Sequence, residues 1–155
     1  MSEFELDPID RRILGELQRN GRISNVDLAA AVGLSPSPCL RRVRDLESAG
    51  VIDRYAAIID QNAAGRSLSV FVQVTLERQI ETALDAFERS VSERPEVMEC
   101  YLMTGDSDYL LRVVVADVSA YEVFLKDHLT RIPGVSAIKS SFALNRVKYE
   151  TALPL

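Results

Sequence analysis

The sequence predicts an α+β chain of two modules, three short helices followed by an alternating strand-and-helix pattern. Three observations carry that expectation. Apolar residues recur at helical spacing up to about residue 48 and then alternate every second position from residue 67. The stretch Asp60-Gln61-Asn62-Ala63-Ala64-Gly65-Arg66 is polar, contains glycine and follows neither pattern. Charge divides at the same place: Arg11 to Arg54 holds eight arginines against five acids, +3, while the rest of the chain carries −8. A basic module over 1–54 and an acidic one over 67–155 are therefore expected, joined by a strand and linker over 55–66.

The first helix follows from Asp7-Pro8, an N-cap with proline at the first helical position, and from Ile9, Ile13, Leu14 and Leu17 before Gly21. Ser24 caps a second helix to about residue 32, with Asp27 three positions on and Val26, Leu28, Ala29 and Val32 facing inward. Gly33-Leu34-Ser35 makes a tight turn. Ser35-Pro36-Ser37-Pro38 opens a third helix, where first-turn prolines are tolerated because the N–H groups there have no intrahelical acceptor. Leu40, Val43 and Leu46 form its expected buried stripe, and Gly50 ends it. Val51 to Ile59 has the content of a strand or strand pair.

Leu68, Val70, Val72, Val74 and Leu76 give the first strand of the second module, 67–76. Ile80, Ala83, Leu84, Phe87 and Val91 return to helical spacing, and Val97 to Thr104 reads as a strand ending in the turn Gly105-Asp106-Ser107-Asp108. Tyr109 to Val115 is a third strand, Ser119 with Glu122 reads as a capping box for a helix to about Thr130, and Pro133-Gly134 precedes a last strand from Val135 to Leu144. The order is βαββαβ, the arrangement called ferredoxin-like.

Composition narrows the function classes. With 47% hydrophobic residues the chain can bury a core, but no run approaches the roughly 20 apolar residues of a membrane span. Met1 to Asp10 carries four acids and no base, unlike a signal peptide, so a cytoplasmic protein without a membrane partner is expected. Cys39, Cys100 and the single His128 cannot assemble a disulfide framework or a zinc site, and no metal or cofactor is expected. Cys100 reads as a small core residue, and His128 as a helix-end residue favoured by the dipole.

Three helices with a tight turn before the third are the layout of a helix-turn-helix, whose later helix enters the major groove of double-stranded DNA. Burial of Leu40, Val43 and Leu46 would turn Ser37, Arg41, Arg44 and Ser48 outward, with Arg42 at the flank. Arginine can fork onto guanine or phosphate, and hydroxyls and first-turn N–H groups suit phosphate; Ser24, Ser35 and Pro38 complete the candidate set at the two helix starts. A solvated charged face is the plain alternative. Asp106 and Asp108 could be cast as a catalytic or metal-binding carboxylate pair, but no His, Cys or third acid completes a constellation, and no enzyme is expected. The turn is better suited to a small zwitterion, Asp to its ammonium and backbone N–H to its carboxylate.

Leu6-Asp7-Pro8-Ile9-Asp10-Arg11-Arg12-Ile13-Leu14, Gly21-Arg22-Ile23-Ser24 and Val32-Gly33-Leu34-Ser35-Pro36-Ser37-Pro38-Cys39-Leu40-Arg41-Arg42-Val43 closely resemble the Lrp/AsnC family, the feast/famine regulators. Thr104-Gly105-Asp106-Ser107-Asp108-Tyr109-Leu110-Leu111 and Ile132-Pro133-Gly134-Val135 resemble it too, so the likeness runs through both modules. The resemblance implies a winged helix-turn-helix module, and a βαββαβ domain that forms homodimers, assembles them into higher oligomers such as an octamer, and binds an amino acid between dimers. It places the effector turn on Thr104, Gly105, Asp106, Ser107, Asp108 and Tyr109, with Ser107 where an aromatic often stands, and Pro133, Gly134, Val135 and Ser136 of a neighbouring subunit closing the pocket. A regulator answering an amino acid or related metabolite is the expected function, with an architectural DNA-wrapping protein as the alternative.

Overall fold

The computed structural model describes residues 5–155, and the first four residues of the expected 1–54 module lie outside them. The chain divides into two compact units, one made of residues up to Ile58 together with Lys148–Leu155, the other of Ile59–Val147.

The first unit holds α1 (Pro8–Arg19), α2 (Asn25–Val32) and α3 (Pro36–Ser48). Asp7 and Asp10 form a reciprocal capping box on α1, and Ser24 caps α2 by accepting from the Asp27 N–H. Gly33 turns the chain between α2 and α3 at φ +74°, a left-handed conformation that glycine adopts without steric cost. Ile13, Leu14, Leu28, Ala29, Val32, Cys39 and Leu46 form the core. The expected stripe on α3 is corrected by this packing. Cys39 is fully buried, whereas Leu40 is 38% exposed, so the inward stripe runs Cys39, Val43, Leu46 at i, i+4, i+7.

Beyond α3 the expected strand at Val51–Ile59 does not form. A strand is defined by a hydrogen-bonded neighbour, and this segment has none among the described residues. Tyr55, Ile58 and Ile59 stay exposed, with the Tyr55 hydroxyl bonded to Glu47. Gln18 of α1 bonds the segment Lys148–Leu155: its amide donates to the Leu153 carbonyl at 3.1 Å and accepts from the Leu153 N–H at 2.6 Å.

The second unit runs β1 (Leu68–Leu76), α4 (Glu81–Ser92), β2 (Val97–Leu102), β3 (Tyr109–Val115), α5 (Val118–Asp127), a 3-10 turn (Leu129–Arg131) and β4 (Val135–Phe142). All strands pair antiparallel in the order β2-β3-β1-β4, the ferredoxin-like sheet. Val70, Val72 and Val74 alternate into one core with Phe87 and Val91 of α4, Tyr121 and Phe124 of α5, and Tyr109, Leu111 and Val113 of β3. Each fully buried side chain of this kind contributes roughly 1.5–3 kcal/mol. Two expectations are corrected here. α5 is capped by Asp117, which accepts from the Ala120 N–H, and Glu122 instead pairs with Lys126, because a cap acts only from the residue that precedes the first helical turn. Cys100 is exposed, since β2 is an edge strand without a neighbour on its outer side.

Candidate functional site

In the first unit the structure separates the candidate arginines. Arg41 and Arg44 are exposed on α3, and so are Ser37, Pro38 and Ser48, while Ser35 and Ser24 stand exposed at the starts of α3 and α2. Arg41 and Arg44 make no salt bridge among the described residues. With proline at 36 and 38, Ser37 supplies a first-turn N–H with no intrahelical acceptor. Arg42 is placed differently. Its guanidinium is half-buried between α3 and α1, where one nitrogen, Nη1, lies 2.7 Å from Asp7 Oδ2 and 2.8 Å from Asp10 Oδ1. The Asp10 N–H and then Arg42 hold the Asp7 carboxyl below the usual carboxylate range.

Asn25 was not among the sequence candidates. Its amide donates to the Pro36 carbonyl at 2.8 Å, so the first turn of α2 grips the first turn of α3, and its Oδ1 is buried without a partner. A polar residue right after an N-cap gives no spacing signal for such a tertiary bond.

In the second unit the two stretches proposed for the effector come together at one place, the end of β1. The Asp108 carboxylate accepts from the Leu76 N–H at 2.7 Å and from the Gln79 amide. On the other side the Gly134 carbonyl accepts from the Glu77 N–H at 2.7 Å, Val135 pairs with Leu76, and Ser136 donates to the Thr75 carbonyl at 3.1 Å. Residues 104–109 and 133–136 of the same chain thus flank one strand end.

Within this group the roles diverge. Thr104, Gly105 and Asp106 are exposed and Ser107 half-buried, whereas Asp108 and Tyr109 are 5% and 1% exposed. Asp108 spends its carboxylate on the fold, and Tyr109 stacks on Phe87 at 4.5 Å and donates to Glu88. Burial, then the Glu88 carboxylate, raises the Tyr109 phenol above its ordinary value. Gly105 has φ +114° with open space where a Cβ would stand, so a substitution there is opposed by backbone strain alone. Pro133 is the one residue of the set that also lines a cleft of about 310 Å³ beside Ser90, Arg94, Phe124, His128 and Ile132. His128 ends α5 as expected, its ring 6.0 Å from Phe124. Among the described residues no cluster of three or more His, Cys, Asp or Glu could hold a metal ion, and no helix is long and apolar enough to cross a membrane.

Comparison with known proteins follows this division. A winged helix-turn-helix DNA-binding family matches residues 6–53, and the Lrp/AsnC ligand binding domain matches residues 69–153. The Bkd operon transcriptional regulator of Pseudomonas aeruginosa is 51% identical over 97% of this chain and 99% of its own length. The leucine-responsive regulatory protein of Escherichia coli is 46% identical over 96% of this chain and 91% of its own. A transcriptional regulator of Neisseria meningitidis, crystallised with L-methionine, superposes with a TM-score of 0.92 at 42% identity and 97% coverage of both chains.

Proposed function

Since the chain belongs to the Lrp/AsnC family of DNA-binding transcriptional regulators, we propose that it contacts double-stranded DNA through Ser24, Ser35, Ser37, Pro38, Arg41, Arg44 and Ser48, and that it responds to an amino acid seated against Thr104–Ser107 and Pro133–Ser136. The observation that carries the effector reading is the exposure of Thr104, Gly105 and Asp106 beside the end of β1, where Pro133–Ser136 of a neighbouring subunit would close on them. Gly105 gives a ligand close approach to the backbone, and Asp106 offers a carboxylate to an ammonium group. The methionine bound by the Neisseria relative supports the ligand class. No reaction of its own is assigned to the chain, and a cytoplasmic location follows from this role.

A second copy completes the proposal. Core residues on β1 and β3 alternate toward the helices, which leaves Phe71 and Tyr101, 41% and 53% exposed, on the other side of the sheet with Leu110 and Val114. A homodimer covering that side, built into larger rings, explains how a ligand held between subunits would alter DNA occupancy, because it stabilises only assemblies that form its site.

The test is a melting screen of the full chain against the proteinogenic amino acids. A ligand at about 100 times its Kd stabilises by roughly 2.7 kcal/mol, a plain rise in Tm, and the same amino acid should change a DNase footprint. Asp106→Ala should reduce the rise. If no amino acid moves either Tm or footprint, the architectural DNA-wrapping alternative replaces this reading.

A further inference from the structure

We propose that Arg42 is a positioning residue for the DNA-contacting helix, locking α3 to the start of α1 rather than touching DNA. The proposal rests on the assignment of α3 as that helix. Geometry carries it. Asp7 and Asp10 each divide their two oxygens between two tasks: Asp7 Oδ1 accepts from the Asp10 N–H and Asp10 Oδ2 from the Asp7 N–H, which closes the cap on α1. The remaining oxygen of each, Asp7 Oδ2 and Asp10 Oδ1, goes to Arg42 Nη1. One guanidinium from α3 therefore finishes a capping motif on α1. Asp10 is 6% exposed and depends on this cation for its charge balance, since a buried carboxylate without a partner is costly.

The clamp fixes the neighbours of Arg42 as well. Arg41 and Arg44 flank it on the same helix and point outward, so rotation or sliding of α3 that broke the pair would carry both exposed arginines with it. A small misplacement of groups that must meet fixed phosphates and base edges loses affinity without removing any contact atom.

Salt dependence distinguishes positioning from contact. Each phosphate contact adds about 0.9 to the steepness of log K against log salt, and a residue that never touches DNA adds nothing. The full chain is titrated with the tightest duplex from an in vitro selection at several salt concentrations, as wild type, Arg42→Ala, Asp7→Asn and Arg41→Ala. Asp7→Asn is the informative variant, because asparagine caps a helix as well as aspartate while removing one of the two charges that hold Arg42. Removal of an acid from a DNA-binding unit should strengthen binding if the acid only repels phosphate; the clamp requires it to weaken binding instead. The expected result is a loss of about tenfold for Arg42→Ala and a smaller loss for Asp7→Asn, both with an unchanged salt slope, while Arg41→Ala flattens the slope. If Arg42→Ala melts below the assay temperature, Asp7→Asn decides alone. An Arg42→Ala slope flattened by about 0.9, or Asp7→Asn affinity equal to or above wild type, overturns the proposal. An Arg41→Ala variant with unchanged affinity and slope removes Arg41 from the contact set; if Arg44→Ala is equally silent, α3 is not the interface and the role of Arg42 falls with it.

Discussion

Asp108 and Asp106 show how two acids that look alike in one turn come to stand in different surroundings. Gly-Asp-Ser-Asp is a turn in either case, and the two acids are indistinguishable in sequence. The structure separates them by strand position: Asp108 immediately precedes β3 and reaches across to the end of β1, whereas Asp106 stays in solvent. Asp108→Ala would leave the Leu76 N–H buried without its acceptor, a loss of about 1–3 kcal/mol, and Asp108→Asn, which keeps an acceptor oxygen, should lose less. Urea unfolding measures both. An alanine variant as stable as wild type would mean that the Asp108 carboxylate does not hold the end of β1. Arg42 parts from Arg41 in the same way: the two are adjacent in sequence, yet Arg42 lies against Asp7 and Asp10 while Arg41 stays exposed.

At the scale of elements, the strands and helices were legible wherever the apolar period was clean. β1 alternates without a fault, and α1 carries its cap, its stripe and its stop in sequence. Legibility failed where two patterns competed. On α3, Leu40 and Cys39 are each compatible with a stripe through Val43 and Leu46, and the larger aliphatic was the natural choice, yet the helix turns the small thiol inward. Burial raises that thiol above its ordinary value. Cys39→Ser places a hydroxyl in the core and should lower stability by about 1–3 kcal/mol, while Leu40→Ala should stay below that in the same denaturation experiment. The reverse order would put Leu40 back in the core. Val51–Ile59 failed for a different reason: β-rich content specifies a strand only when a neighbour exists to receive its hydrogen bonds, and a single sequence does not name the neighbour.

For the whole molecule, charge and period divide the chain near residues 55–66, while nothing in the composition of Lys148–Leu155 refers to α1, to whose unit that segment belongs. Gln18 anchors Leu153 with both polar ends of its amide. Gln18→Ala should therefore raise hydrogen exchange at the Leu153 amide and hasten protease cleavage within 148–155, with the core of the second unit unchanged. Protection of Leu153 equal to wild type would mean the segment is held elsewhere. This anchorage also sets an order of events at the ribosome. Gln18 and Leu153 are 135 positions apart, so at 5–20 residues per second about 7–27 seconds of synthesis separate the two partners. The whole second unit is translated in that interval, so Gln18 keeps its amide in water until the rest of the chain has been made.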